Sequence, residues 1–479
     1  MHFAIQFLGW IGFTFLSIPI LFGPWFFGAW EMWWFWPFTV CIYISTFFFA
    51  AKYTVLFFLQ TNGAEEYSFE TKDAARTRAI LITCFAAFLI YAFARFIQAP
   101  VRMDAERSFL LFWTPSLILF QVLFGFTERQ YRFLFKLVFV NLILLGVYGV
   151  INHFITHNEL VLWTKGEPQY QLETARATGS YFCPDHFAGI MEIAFSLAVA
   201  VILAATSTTR QRITAIVGAF IAIMGVVLSK SRGGGLTIFV IVVAALIWGL
   251  GQWAPTFRRK IRLISAVAIV TVLVFLSFVG GSYKHRFVSY FGWHQTEGKT
   301  LGEITNTTIS NIRLSSRGRM ISAAIRAWRT NLLFGIGPGM HQNLWPHFAA
   351  SPDGNKELGK RPSVLNIHFH SYEVHSDWVQ LLEECGIAGL FLFLLPFCIV
   401  IRHIMRSLAT ENRKLLDPES FTSLNRHYAI VLGGFLACVA MSFHSLGDFN
   451  LQIPATTWMI GAIVGVSLTA IIGPYDTHA

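Results

Sequence analysis

The stretch from His375 to Ile401, HSDWVQLLEECGIAGLFLFLLPFCIVI, joins a polar, acidic head directly to an apolar helix. Ser376 and Asp377 are helix-capping residue types set just before Trp378, Val379, Leu381 and Leu382. The pattern predicts His375 at or just before a helix N-terminus, where the partial positive charge disfavours imidazolium. A neutral histidine at a membrane surface can accept a proton, which makes His375 the candidate general base. Nine residues separate Ser376 from Gly386, and two more separate Gly386 from Gly389. The plainer reading is an interfacial histidine followed by glycines that only pack a helix.

Four other stretches carry polar residues that could serve chemistry. SKSRGGG, Ser229 to Gly235, sets Lys230, Ser231 and Arg232 in a tight turn. Its three glycines let backbone approach a ligand and offer N–H groups to an anion. The alternative is a flexible turn with incidental charges, and GxxxxGK[ST] spacing is absent. RATGSYFCPDHFAG begins at Arg176, which either snorkels or contacts phosphate or sugar. In the same stretch Asp185 and His186 follow Pro184, where they cap the next helix or join such a contact. SRGRMISAAIRAWRTNLLF, Ser316 to Phe334, has helical spacing, with Met320, Ile321, Ala324, Ile325 and Trp328 as an apolar stripe. Arg317, Arg319, Arg326 and Arg329 border that stripe, either on anionic lipid or with one or two facing the site. GIGPG, Gly335 to Gly339, then forces a turn. HSLGDFN puts His444 and Asp448 together, and a carboxylate beside an arginine or histidine orients it. Asp448, His444, Asp377 and Glu384 are therefore expected to support these groups rather than touch substrate. His368 and His370 read as surface residues, because neither HExxH nor a cysteine pair supports a metal site.

The elements that must position these residues are membrane spans. Of 479 residues, 55% are hydrophobic and 13% charged, and the apolar ones cluster in long runs. The pattern predicts twelve spans, at roughly 4–22, 33–59, 78–98, 108–126, 132–152, 183–205, 213–230, 235–252, 261–281, 386–405, 427–446 and 451–472. The chain divides into spans one to nine (1–281), a large loop with amphipathic helices (282–385), and spans ten to twelve (386–479). The net charge of +10 lies mostly in short loops and sets topology rather than binding nucleic acid. Arginine-rich loops follow spans four, six, eight and ten, so that side is expected to be cytoplasmic, with both termini. The motif residues then collect on the external face. A cleavable signal pattern is not evident. The six cysteines are scattered and suggest neither disulfides nor metal. The aromatic run GPWFFGAWEMWWFWP is expected to anchor at an interface, with substrate contact the second possibility.

Taken together, these motifs resemble the bacterial O-antigen ligase family. RATGSYFCPDHFAG is similar to the family's Arg-x-x-Gly segment before a helix, and SKSRGGG to its Ser-Arg-Gly turn. Ser316-Arg317 with GIGPG is similar to its arginine helix and Gly-x-Gly turn. His375-Ser376 with Gly386 and Gly389 matches its histidine motif. The resemblance runs from about Arg176 to Pro454, while the first five spans carry only hydropathy. Ser376 stands where the family usually has asparagine, and the second motif arginine falls on Arg317 or Arg319. The superfamily also holds O-antigen polymerases and O-linked protein oligosaccharyltransferases. What the resemblance implies is an all-α polytopic membrane protein of GT-C-type architecture, metal-independent and without cofactor, in the bacterial inner membrane.

The implied chemistry moves a glycan from undecaprenyl diphosphate to an acceptor hydroxyl on lipid A–core or on a growing glycan. Breaking the anomeric C–O bond puts negative charge on the lipid diphosphate. Arginines offer planar, paired donors to phosphate oxygens, which is the role expected of Arg232 and Arg317. Arg176, Lys230, Ser231 and Arg319 are the expected contacts around the diphosphate and glycan. His375 takes the acceptor proton, and direct displacement inverts the anomeric centre. A transporter is the rival class. Against it, no charged residue is expected in the middle of a span, and no inverted repeat with broken helices is visible.

Overall fold

In a computed structural model, the structure describes residues 2–61, 72–158, 160–161, 164–165, 176–204, 207–250, 282–293, 298–349, 370–414 and 427–472. Among the described residues the regular structure is helical apart from one two-residue rung pairing Leu160–Val161 with Thr164–Lys165. The helices are α1 (His2–Phe22), α2 (Met32–Thr61), α3 (Lys72–Gln98), α4 (Arg102–Gly125), α5 (Glu128–Ile155), α6 (Pro184–Leu203), α7 (Thr209–Ser229) and α8 (Arg232–Leu250). They continue as α9 (Ser282–Phe291), α10 (Leu301–Leu314), α11 (Ser316–Thr330), α12 (His341–Ala349), α13 (Asp377–Lys414), α14 (Tyr428–His444) and α15 (Pro454–Ile472).

Among the described residues, nine helices are long and apolar enough to cross a membrane, and α8 and α14 contain shorter apolar helices. Each falls on an expected span. The remaining expected span, 261–281, lies outside the described residues, as do His368 and most of the loop expected at 351–374. Local sequence sets several starts. Thr127, Thr208 and Thr300 each form a reciprocal capping box with the residue three further on. Ser315 caps α11 by accepting from the Gly318 N–H.

Burial sorts the helices. In α6 and α15, 94% and 89% of the apolar stretch is buried, against 17% in α2. So α6 and α15 form the centre and α2 presents its side chains outward. α6 packs on α7 and α14, while α15 packs on α4. The expected stripe of α11 is shifted: its buried side is Met320, Ala323, Ala324 and Ala327. Ile321, Ile325 and Trp328 are only half-buried, because the small alanines are what admit neighbouring helices closely.

α13 begins nine residues before the expected span, at Asp377. Its polar head is held as helix by bonds from Asp377 and Gln380 to neighbouring protein. Gly386 interrupts it with φ 67° and ψ −173°, a conformation open to glycine. The interruption frees backbone groups that the GIGPG turn takes up. Ile336 and Gly337 N–H groups donate to the Glu383 and Glu384 carbonyls, at 2.9 Å each. Ile387 and Ala388 donate to the Leu332 and Leu333 carbonyls, at 3.0 Å each. A Cβ on Gly386 would stand 2.3 Å from the Leu333 oxygen, so backbone meets backbone here with no room for a side chain. The two glycine motifs of the sequence are thus the two halves of one joint.

One expectation is corrected. A charged residue does sit within a span: Glu192 of α6 is fully buried. It is tolerated because His444 Nδ1 lies 2.6 Å from its Oε1.

Candidate active site

The helix start at Asp377 is stapled to the turn between α14 and α15. The Asp377 N–H donates to the Asp448 carbonyl at 3.2 Å. Asp377 Oδ2 accepts from Ser445 Oγ at 2.7 Å and from the Leu451 N–H at 3.0 Å. Ser376 Oγ donates to the Ser445 carbonyl at 3.2 Å. Gln380, one turn into α13, reaches back and accepts from the Val374 N–H at 3.0 Å. These bonds hold the strap 370–376 that carries His375. His375 itself takes a left-handed φ of 58°, a conformation costing roughly 1–2 kcal/mol for a side-chain-bearing residue.

That posture sets His375 Nδ1 3.1 Å from Asp448 Oδ1, which also accepts from the Phe449 N–H at 3.0 Å. The His375 side chain keeps 26% of its surface exposed while Asp448 is fully buried. Arg317 Nη2 reaches the other Asp448 oxygen at 3.4 Å, and its Nη1 donates to the Gly447 carbonyl at 2.7 Å. The same Nη2 lies 2.9 Å from Asp185 Oδ2. Asp185 Oδ1 in turn holds Arg176 Nη2 at 2.8 Å, and Arg176 Nε donates to the Ser229 carbonyl at 2.7 Å. One chain of contacts therefore runs His375, Asp448, Arg317, Asp185, Arg176, and ends at the foot of SKSRGGG. Burial alone would raise the Asp448 carboxyl. The Arg317 charge, with His375 and His444 beside it, outweighs this and holds it well below the usual carboxylate range.

The structure brings together His375, Arg317, Arg176, Asp448, His444, Asp377 and Ser231. Ser231 is buried and its Oγ accepts from the Gly234 N–H at 3.1 Å. SKSRGGG is not the loop its glycines suggest, because they form the first turn of α8. Gly233 and Gly234 let that turn approach His444 and Ala188, where an added Cβ would come within 2.9 Å of each. Lys230 is the left-handed cap of α7. Arg232 lies over the Tyr290 ring, 4.1 Å from its centre.

Two expected residues stand elsewhere. Arg319 is exposed on α11, one residue past the buried Gly318 and on another side from Arg317. Glu384 belongs to the glycine joint, where its Oε2 accepts from the Gly339 N–H at 2.8 Å. Arg326, expected on lipid or at the site, bonds the Phe348 carbonyl at 2.9 Å.

Sequence reasoning did not single out Asp185 as the bridge between two arginines. Its partner Arg317 is 132 residues away, and only its acidic type at a helix start was visible. Glu192 was missed because it hides among apolar neighbours. Phe27 and Trp30, from the aromatic run expected to anchor at an interface or touch substrate, line a cavity of about 310 Å³ beside His375.

Fold and site together define a polytopic helical membrane protein with a histidine–carboxylate–arginine cluster where several loops meet. The family model described as O-antigen ligase matches residues 217–394, from α7 through the glycine joint of α13. The family resemblance is borne out over that stretch, which supports a membrane enzyme of glycosyl-transfer type, ligase or polymerase. Arg176, Asp185 and Asp448 lie outside the matched residues. No curated protein matches the chain.

Proposed function

We propose that the protein is a bacterial inner-membrane O-antigen ligase of GT-C type. It transfers a glycan from undecaprenyl diphosphate to a hydroxyl on lipid A–core, on the periplasmic face. The observation that carries the reading is His375 held through Nδ1 by a buried Asp448 whose second oxygen faces Arg317.

Asp448 engages Nδ1, which leaves Nε2 as the nitrogen for substrate. The acceptor O–H gives its proton to Nε2 while its oxygen attacks the anomeric carbon. The new C–O bond forms as the bond to phosphate breaks, and the electron pair leaves with the lipid diphosphate. The configuration inverts. Asp448 holds the ring in one tautomer and stabilises the imidazolium that forms, the role a buried aspartate plays in hydrolytic triads.

Arg317 and Arg176 are spent on two aspartates and two carbonyls, so a diphosphate must compete for them. Lys230 and Arg232, at the foot of α8, extend the positive charge that receives the leaving group. The donor's approach thus loosens the ion pairs around Asp448, coupling phosphate binding to the environment of the base.

The test compares His375→Ala with His375→Gln using lipid-linked glycan and lipid A–core in purified form. A base contributes about 10²–10⁴ in rate, so both variants should lose most turnover yet still bind donor. Glutamine can donate a hydrogen bond but cannot take a proton at neutral pH. Substantial turnover in His375→Gln would leave His375 a positioning residue. Longer lipid-linked glycans in place of glycosylated lipid A–core would reassign the acceptor and keep the chemistry.

A further inference from the structure

The cavity beside His375 has a chemistry unlike that of the arginine cluster. Its walls include the rings of Trp30, Tyr181, Phe182 and Phe449, and its polar side chains include His186 and Glu373. Among the described residues, no arginine or lysine lines it. A diphosphate placed there would meet a carboxylate and aromatic faces, while nearby Arg107 is already engaged by the Trp30 ring and carbonyl, which is costly. A neutral polyol suits it instead. The C–H face of a sugar ring packs on aromatic rings, and hydroxyls at its rim need a few placed polar groups.

One such group stands ready. His186 is 6% exposed, and its Nε2 has no hydrogen-bond partner. A buried polar atom left so is unfavourable until something bonds it. His186 and His375 both meet the ring of Phe449 edge-on, at 4.5 and 4.6 Å between centres. Phe449 therefore touches both imidazoles. Trp30 is fixed from behind by Arg107, which lies over its ring at 4.1 Å and donates to its carbonyl at 3.1 Å.

We propose that this cavity is the subsite for the acceptor's sugar ring, with Trp30 and Phe449 as packing faces and His186 Nε2 as a hydrogen-bond contact. It rests on the glycosyl-transfer reading with His375 as base. His375 then stands between two compartments: a neutral one that presents the acceptor hydroxyl, and a charged one that receives the diphosphate.

The test uses full-length protein and two soluble probes, delipidated core oligosaccharide and inorganic pyrophosphate, followed by calorimetric titration. Donor and acceptor KM are measured alongside. His186→Ala should weaken oligosaccharide binding and raise the acceptor KM by about tenfold, the worth of one buried hydrogen bond. Trp30→Ala should do at least as much, and Trp30→Phe should recover most of it. Pyrophosphate binding and donor KM should not move. If Trp30→Ala does not fold, His186→Ala and Trp30→Phe carry the comparison. A rise in donor KM, or folded variants with unchanged oligosaccharide binding, would overturn the assignment. An active His375→Gln would sink the base reading without touching these binding constants, so the two failures are separable.

Discussion

Two histidine–carboxylate pairs share one aspartate and differ in what can reach them. His375 lies 3.1 Å from Asp448 and keeps 26% of its side chain exposed. His444 lies 2.6 Å from Glu192 and 3.7 Å from Asp448, with 1% of its side chain exposed. The chemistry of the two is alike. Only the first can exchange a proton with a substrate, because only the first has an open side. The second is walled in by α6, α8 and α14, where the Gly233 turn presses against the imidazole. A pair buried this way is costly to break, since removing one partner strands the other in a poor solvent for charge. On the proposed reading catalytic capacity tracks exposure, and the deeper pair reaches the turn that carries Asp448 through His444.

The sharpest way to break this comparison is through Arg317, the reachable pair's anchor. Arg317→Lys cannot span Gly447, Asp448 and Asp185 at once, because lysine lacks the planar fork. Turnover should fall by about 10²-fold, while the exposed Arg319→Lys should stay near wild type. Equal activity in both would show that the fork geometry is irrelevant. A smaller effect, on stability rather than turnover, is expected at the deep pair. Glu192→Ala should cost about 3–5 kcal/mol, read as a lowered melting temperature in detergent, with turnover per folded molecule largely kept. A stable but inactive Glu192→Ala would make the deep pair part of the chemistry.

The smallest effect is the acid response. Asp448 is held well below the usual carboxylate range when folded. Such a group stabilises the fold fully above its unfolded value of about 3.9. That contribution is lost as pH falls through the lower folded value. Below about pH 4, the melting temperature of wild type should therefore drop more steeply than that of Asp448→Asn. Parallel curves would remove Asp448 as the charged hub.

Much of the fold was legible because span-forming sequence is a local property. Apolar runs of sufficient length must be helical where backbone groups lack water, so eleven described helices fall where hydropathy placed them. The positions of His375 before a helix and of Asp448 near it could also be read from residue type. The partners could not. Asp185 was read as a cap or a phosphate contact, and SKSRGGG as a tight turn facing an anion, because short stretches do not reveal which distant helix presses on them.

The sequence by itself determined a helical membrane bundle, the polar loops that interrupt it, and a histidine placed at the head of α13. Only the tertiary structure decided that Arg317 rather than Arg319 faces the histidine's aspartate. The physical reason is that α11 turns one side to the bundle and one away, and packing of its small residues sets that rotation. Tertiary structure likewise joined GIGPG to Gly386, since backbone groups freed in one segment take partners only where another segment arrives.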